Sequence, residues 1–391
     1  MKRFADRMVL YFCLTGFFFL CAFFSPVSAA EPIKIGAVLC LTGWAGGMGT
    51  PEKEAITVEV ERVNRQGGVI GRQIEVYFED DQSNPANAVI SATKLIRDEG
   101  VAALIGSSVT NMCMPILPIC EREGVVNVSI GAGHEITQPL KKWVFRIPIT
   151  DIRLSPLMVK FAAEKFGAKK IALMHSTDAS GVMGAKGVVE SVQKYGIKIV
   201  TTEKFEPKDT NVMPQLTKVK ALKPDAIILY ASSAPGIIVA KNYQQLGMEN
   251  IPVVASHGIP TREFIEMAGK GVEGRWAFIG LKSQVAEKFP ADDPYRKNVY
   301  DPFMEALRKK YGATTKFNVF HGNGHDALHA VLNAIKVAGT DDRASLRNAM
   351  EKVGFVGLNF SFQYTPTDHD GHDERSRVPI TLKNGAFTLY N

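Results

Sequence analysis

The sequence predicts an α/β protein whose chain forms two lobes, each built on a doubly wound parallel sheet. Short β-branched apolar runs alternate with longer segments in which apolar residues recur at helical spacing. The same alternation starts again after Asp151, and 391 residues are enough for two cores. Strands that alternate with helices pair in parallel through right-handed crossovers, which place helices on both faces of each sheet.

The first unit contains four predicted strands, at 33–40, 73–80, 101–105 and 125–129. Three predicted helices lie between them, at 51–64, 85–98 and 110–122. Asn84 and Pro85 favour the start of the second helix, because asparagine accepts from free N–H groups and proline lacks the N–H that would otherwise be unpaired there.

The second unit contains predicted strands at 170–175, 198–202, 226–230 and 251–255. Its predicted helices lie at 180–194, 211–222 and 234–246. The tail predicts helices near 295–310, 326–337 and 342–352, and late strands at 360–364 and 378–389. We expect the tail to complete both sheets, with residues 31–148 and 281–357 in lobe 1 and residues 149–280 and 358–391 in lobe 2.

Residues 1–30 have the composition of a secretory signal peptide. Lys2, Arg3 and Arg7 precede an apolar run that ends at Phe24, and small residues follow at 27–30. An uncleaved membrane anchor is the alternative, because the run approaches the length needed to span a bilayer. The small-residue cleavage site favours removal, so we expect an exported protein.

The charge of the chain limits the classes of binding partner, and the positions of its cysteines limit the possible disulfide bonds. Residues 31–391 contain 43 basic and 39 acidic residues without a basic run, which argues against nucleic acid. Cys113 and Cys120 share one predicted helix and would lie ~10.5 Å apart along its axis, beyond disulfide reach. A bond from Cys40 to Cys113 stays open, but three buried free thiols are the favoured interpretation.

The motifs that mark common enzymes and metal sites are missing from the sequence. There is no G-x-S-x-G elbow, no H-E-x-x-H and no P-loop, so we expect neither an enzyme nor a cofactor. His321, His325 and His329 recur every four residues, but glycines interrupt the first turn, so we expect His321 to precede the helix. A second histidine cluster lies at 368–373, and we expect no metal at either.

The turn at 106–111 is the strongest candidate for a binding site. It joins a strand to a helix, and ligands of open α/β sheets lie beyond the carboxyl ends of the strands. A helix N-terminus favours anions through its unpaired N–H groups and its dipole. The alternative is that its hydroxyl side chains only cap the helix.

Several segments resemble the periplasmic leucine/isoleucine/valine-type solute-binding proteins of ABC transporters. They are IKIGAVLCLTG (33–43), YFEDDQSNPANAV (77–89), IGSSVT (105–110), VSIGAGHEITQP (128–139), WVFRIP (143–148) and YTPTDHDG (364–371). The resemblance implies a type I periplasmic-binding-protein fold, with two lobes joined by a multi-strand hinge. It also implies a monomer that delivers a small-molecule ligand to a membrane ABC permease complex. A ligand-binding subunit of a sensor is an alternative.

The resemblance also implies which residues bind the ligand. The ligand carboxylate would lie against Ser107, Ser108 and Thr110, with backbone contacts from Gly131, Ala132 and Gly133. Two residues after the first strand would wall the pocket, namely Trp44 and Met48. Three positions depart from the family's amino acid binders, which have two tyrosines and an acid where this chain has Ser180, Ala234 and His257.

These departures predict an unusual ligand. A histidine cannot replace a carboxylate as the counter-charge of a buried ammonium, and small residues leave space for a larger ligand. We therefore predict a small carboxylate without an α-amino group, such as an aromatic acid, with a true branched-chain amino acid as the alternative. If His257 donates to the ligand, affinity should rise as the pH falls through ~6.5.

Overall fold

The computed structural model describes residues 30–43, 45–373 and 376–390. The predicted signal peptide and Trp44 therefore lie outside the described residues. No helix in the described part combines the length and the apolar character that a membrane crossing requires.

The first sheet has five parallel strands in the order β2-β1-β3-β4-β5. The strands are β1 (Ile33–Leu39), β2 (Ile74–Asp80), β3 (Ala103–Gly106), β4 (Val126–Ser129) and β5 (Val144–Arg146). The crossover helices are α1 (Gly46–Arg65), α2 (Pro85–Arg97) and α3 (Thr110–Glu123). The four predicted strands are confirmed, whereas β5 has only three residues and too little pattern to be predicted.

The second sheet has seven strands, of which the last two form an antiparallel hairpin at one edge. The first five strands are β6 (Lys170–Ser176), β7 (Lys198–Phe205), β8 (Ala226–Tyr230), β9 (Val253–Ala255) and β10 (Trp276–Leu281). The last two, near the end of the chain, are β13 (Arg377–Lys383) and β14 (Ala386–Leu389). The helices are α4 (Asp151–Phe166), α5 (Ala179–Ser191), α6 (Met213–Leu222), α7 (Ser233–Gln245) and α8 (Arg262–Met267). The sheet order is β14-β13-β10-β9-β8-β6-β7.

Most of the tail packs on the first sheet. It contains α9 (Asp301–Tyr311), α10 (Val319–Ala338), α11 (Arg343–Met350) and a small hairpin of β11 (Gly354–Val356) and β12 (Ser361–Gln363). Phe360, Phe362 and Tyr364 lie in the core of the first sheet, together with α10 and α11. We therefore propose that the last crossing between the lobes lies after Tyr364, later than the boundary at 357–358 that the sequence predicts.

Helix α10 begins earlier than the sequence predicts, and it includes His321. The side chain of Asn318 accepts a hydrogen bond from Phe320 N–H at the start of the helix. Gly324 does not break the helix, because it is placed where α10 approaches α1. A Cβ atom there would lie 2.4 Å from the carbonyl oxygen of Glu52. The expectation that His321 precedes the helix is thus wrong.

The three cysteines of the described residues, Cys40, Cys113 and Cys120, are buried free thiols. Cys113 and Cys120 both lie on α3, as predicted. Burial raises the pKa of each thiol to about 12, so none is ionised at neutral pH.

Candidate functional site

The carboxyl ends of β3 and β4 hold the first group of predicted site residues. Ser107 and Ser108 follow β3, Thr110 begins α3, and the loop 131–133 follows β4. Thr110 Oγ1 accepts a hydrogen bond of 2.9 Å from Gly133 N–H, which joins the two loops. A Cβ atom at Gly133 would lie 2.4 Å from Thr110 Cγ2, so this close contact requires glycine. We call these two loops the first-lobe site.

Among the described residues, no side-chain hydrogen bond caps the N-terminus of α3. Its N-cap residue is Val109, which cannot accept a hydrogen bond through its side chain. The interpretation that nearby hydroxyls serve only as caps is therefore wrong for this helix. The first N–H groups of a helix have no partner within it, and the helix dipole adds positive potential there. The N-terminus of α3 is thus suited to hold an anion.

The serine hydroxyls of the first-lobe site bond to acids within the lobe. Ser107 Oγ donates to Asp81 Oδ2 at 2.5 Å. Ser108 Oγ donates to Glu52 Oε2 at 2.5 Å and accepts from Cys40 N–H at 3.1 Å. Both serines are buried. Thr110, which is only partly buried, is therefore the side chain of this turn best placed to meet a ligand.

Glu52 is a fully buried acid directly behind the first-lobe site. Burial raises the pKa of its carboxyl to about 8; the bond from Ser108 opposes this rise and the charge of Asp81 adds to it. Its Oε1 atom has no hydrogen-bond partner among the described residues. At neutral pH Glu52 is mostly uncharged, so it does not repel an anion at α3. Sequence reasoning missed Glu52, although an acid among the buried positions of α1 was a visible signal.

The carboxyl ends of β6, β8 and β9 hold the second group of predicted residues. These strands are neighbours in the sheet, in the order β9-β8-β6. Ser180 and Ala234 lie in the first turns of α5 and α7 and are exposed, and His257 follows β9 and is partly buried. We call Ser180, Ala234 and His257 the second-lobe site.

Asp151 places an acid beside the second-lobe site. It is the first residue of α4, and its Oδ1 atom lies 3.9 Å from His257 Nδ1. Burial raises the pKa of Asp151 to about 6, against the lowering effect of the Ser180 and Tyr230 hydroxyls. Asp151 Oδ1 has no hydrogen-bond partner in the described part of the chain. This contact could not be predicted from the sequence, because 106 residues separate Asp151 and His257.

His257 is uncharged at neutral pH. Burial and the nearby positive charge of Arg377 lower its pKa to about 3. Without ligand, His257 therefore does not titrate near pH 6.5. The predicted rise in affinity there stays a prediction, because it also depends on the pKa of His257 in the ligand-bound protein. Burial also lowers the pKa of Arg377 to about 9, which leaves this guanidinium charged at neutral pH.

The structure says less about the two residues predicted to wall the pocket, Met48 and Trp44. Met48 lies in the first turn of α1, partly buried against the core between the first sheet and α2 and α3. Trp44 lies outside the described residues. Within residues 30–43, 45–373 and 376–390, no hydrogen bond or ion pair joins the first-lobe site to the second-lobe site.

Taken together, two α/β lobes with polar loops at the carboxyl ends of their strands define a binding protein of the two-lobed type. The periplasmic binding protein family matches residues 32–375. The chain therefore belongs to that family, and its fold is the type I fold that the sequence predicted.

Named relatives agree with this assignment. The chain is 26% identical, over 391 residues, to the leucine-, isoleucine-, valine-, threonine-, and alanine-binding protein of Pseudomonas aeruginosa. The alignment covers 100% of this chain and 97% of that protein. An extracellular ligand-binding receptor from Rhodopseudomonas palustris HaA2 is similar at a TM-score of 0.77 and 30% identity, over 92% of this chain and 99% of that chain.

A branched-chain amino acid transporter substrate binding protein from Streptococcus pneumoniae, solved in complex with isoleucine, is similar at a TM-score of 0.71 and 25% identity. That match covers 92% of this chain and 98% of the other. The chain thus belongs among the type I periplasmic binding proteins of the Leu/Ile/Val-binding ABC transport family. These proteins bind solutes and are not enzymes, as the sequence predicted.

Proposed function

We propose that this protein is the periplasmic solute-binding component of an ABC importer, and that it binds a small carboxylate-bearing solute between its lobes. The observation that carries the proposal is the uncapped N-terminus of α3, which lies beside Thr110 and the glycine loop at the sheet edge. Delivery to a membrane permease, rather than to a sensor, is supported by the similarity to the transporter substrate binding protein of Streptococcus pneumoniae.

The carboxylate end of the solute binds at the first-lobe site. Thr110 Oγ1 accepts from Gly133, which leaves its own proton free to donate to a carboxylate oxygen. The N–H groups at the start of α3 supply further donors. Because Glu52 is mostly neutral, it adds no second negative charge to that of Asp81 behind this site.

Replacing Thr110 with valine should therefore weaken binding of the carboxylate by about 1.5–3 kcal/mol, roughly 10- to 150-fold in affinity. Valine keeps the shape and deletes the hydroxyl, and calorimetry measures the loss. The matched control is Thr93→Val on α2, whose hydroxyl bonds only to Val89 O within its own helix. Equal affinities for the wild type and Thr110→Val would exclude the hydroxyl as a ligand contact.

The other end of the solute faces the second-lobe site. The small residues Ser180 and Ala234 leave room for a bulky body, and uncharged His257 provides no counter-charge for an ammonium. Both features support an aromatic or other carboxylate without an α-amino group. The unpartnered oxygen of Asp151 beside His257 supports the second candidate, an amino acid whose ammonium pairs with that acid.

A thermal-shift screen of paired compounds separates the two candidates, because a ligand that binds only the folded state raises the melting temperature. We expect 3-phenylpropanoate and related aromatic acids to raise it, and leucine, isoleucine, valine and phenylalanine to leave it unchanged. Under this proposal Asp151→Asn retains the response to the aromatic acids. A response to leucine that Asp151→Asn abolishes would instead establish the amino acid candidate.

A further inference from the structure

Three side chains of the types that bind metals lie together between α1 and α10. Glu59 of α1 and His325 and His329 of α10 each offer one ligand atom, and these atoms lie within 4.8 Å of one another. Glu59 Oε2 is 3.0 Å from His329 Nε2, and the two imidazole rings have centroids 4.2 Å apart. Histidines four residues apart on a helix share one face, which explains their convergence.

The hydrogen bonds around His325 leave one of its nitrogens available. His325 Nδ1 lies 2.8 Å from Asp326 Oδ1. Asp326 also accepts three backbone N–H bonds, from Leu358, Asn359 and Phe360, so its carboxylate serves as an acceptor. The proton of a neutral His325 therefore lies on Nδ1, and the Nε2 lone pair makes no hydrogen bond with the described residues.

This arrangement is the one that metal-binding histidines usually have. A carboxylate that accepts from one ring nitrogen fixes the orientation and the tautomer, and the other nitrogen binds the metal. The Asp326 carboxylate is itself held by the backbone, so His325 is oriented before any metal arrives. A histidine that served only to fill the core would not need an unpaired Nε2 lone pair beside the Glu59 carboxylate and the His329 imidazole.

Glu59 and His329 can ligate if the bonds from Glu59 Oε2 to Arg62 Nη2 and to His329 Nε2 give way to the metal. Arg62 donates from Nε to both oxygens of Glu59, at 3.2 Å to Oε1 and 3.0 Å to Oε2, and from Nη2 to Oε2 at 2.8 Å. Arg62 can keep Oε1 while Oε2 turns to a metal, because about a third of its side chain (31%) is exposed and free to adjust. His329 would move its proton from Nε2 to Nδ1, which keeps the imidazole neutral and releases no proton.

We propose that Glu59, His325 and His329 form a binding site for a divalent transition metal, with Zn²⁺ as the preferred ion. Two imidazole nitrogens and one carboxylate oxygen are a ligand set that Zn²⁺ takes, with water in the fourth position. The partly exposed side chain of His329 provides the entry path. His321 is outside the site, because its Nε2 atom pairs with Glu54 Oε2 at 3.0 Å.

The test titrates Zn²⁺ alone into the full chain after treatment with a chelator. Calorimetry should show one ion per chain, and His325→Gln and His329→Gln should each weaken binding by about 10-fold or more. The matched control is His321→Gln, which changes a histidine on the same helix and should leave Zn²⁺ affinity unchanged. Zn²⁺ should also raise the melting temperature of the wild type and of His321→Gln, but not that of His325→Gln or His329→Gln.

Two results would overturn the proposal. One is the absence of Zn²⁺ binding by the wild type, and the other is equal Zn²⁺ affinity in the wild type and His325→Gln. If the histidine variants do not fold, the wild type loaded with Cu²⁺ decides the question by pulsed electron paramagnetic resonance. Coupling to two imidazole nitrogens supports the site, and coupling to fewer rejects it.

Discussion

Replacing Glu52 with glutamine should stabilise the protein increasingly as the pH rises, from about 1 kcal/mol at pH 5 to about 4 kcal/mol at pH 8. Glu52 is fully buried, and its folded-state pKa of about 8 lies well above the usual value of 4.5. Glutamine imitates the protonated acid in shape and can keep the bond to Ser108. It carries no charge at any pH, so it avoids the cost of ionising Glu52 inside the lobe.

The direction of this pH dependence follows from the number of protons that the folded and the unfolded states hold. Between pH 4.5 and 8 the folded state keeps the proton of Glu52, whereas the unfolded state has lost it. Wild-type stability therefore falls as the pH rises through this window and levels off above it. Glu52→Gln removes this dependence, and the difference between the two proteins cancels the contributions of titrating groups that do not interact with Glu52.

Urea unfolding at pH 5, 6.5 and 8 measures the difference. The matched control is Glu61→Gln on the same helix, where the side chain is 44% exposed and little effect is expected. Parallel pH profiles for the wild type and Glu52→Gln would show that Glu52 titrates normally in the folded state. They would also remove the reason for treating Glu52 behind α3 as uncharged.

The fold could be predicted from the sequence because its signals are local. Each of the four predicted strands of the first unit is a short apolar run, and Asn84 caps α2 as expected. The start of α10 could not be predicted, because Gly324 reads as a helix breaker until the approach of Glu52 is known. Local propensity gave the wrong helix start there because a contact between helices determines it.

The candidate site was only partly predictable for the same reason. The turn after β3 has a local composition that indicates anion binding, and the structure leaves its helix uncapped. The charge states were not predictable, because they depend on distant residues. Glu52 is 56 residues from Ser108, and the low pKa of His257 depends in part on Arg377, 120 residues later in the chain.

Replacing Arg146 with methionine should destabilise the protein by about 3–5 kcal/mol, because it breaks a buried ion pair. The Arg146 side chain has no exposed surface, and its Nη2 atom lies 2.6 Å from Asp370 Oδ2. Its Nη1 atom donates to the carbonyl oxygens of Gly133 at 2.8 Å and Ala132 at 3.3 Å. The variant thus leaves a buried carboxylate with less compensation and releases the loop that Thr110 also contacts.

Arg153→Met is the matched control, because Arg153 contacts the same acid at 3.4 Å but has a side chain that is 39% exposed. We expect it to cost no more than about 1 kcal/mol. Combining Arg146→Met with Asp370→Asn should recover part of the loss, because the uncompensated charge is then removed. Urea unfolding of the four proteins measures these differences, and calorimetry should show weaker carboxylate binding in Arg146→Met as its loop loosens. Similar costs for Arg146→Met and Arg153→Met would mean that burial of the pair contributes little, and that the glycine loop is held mainly by its bond to Thr110.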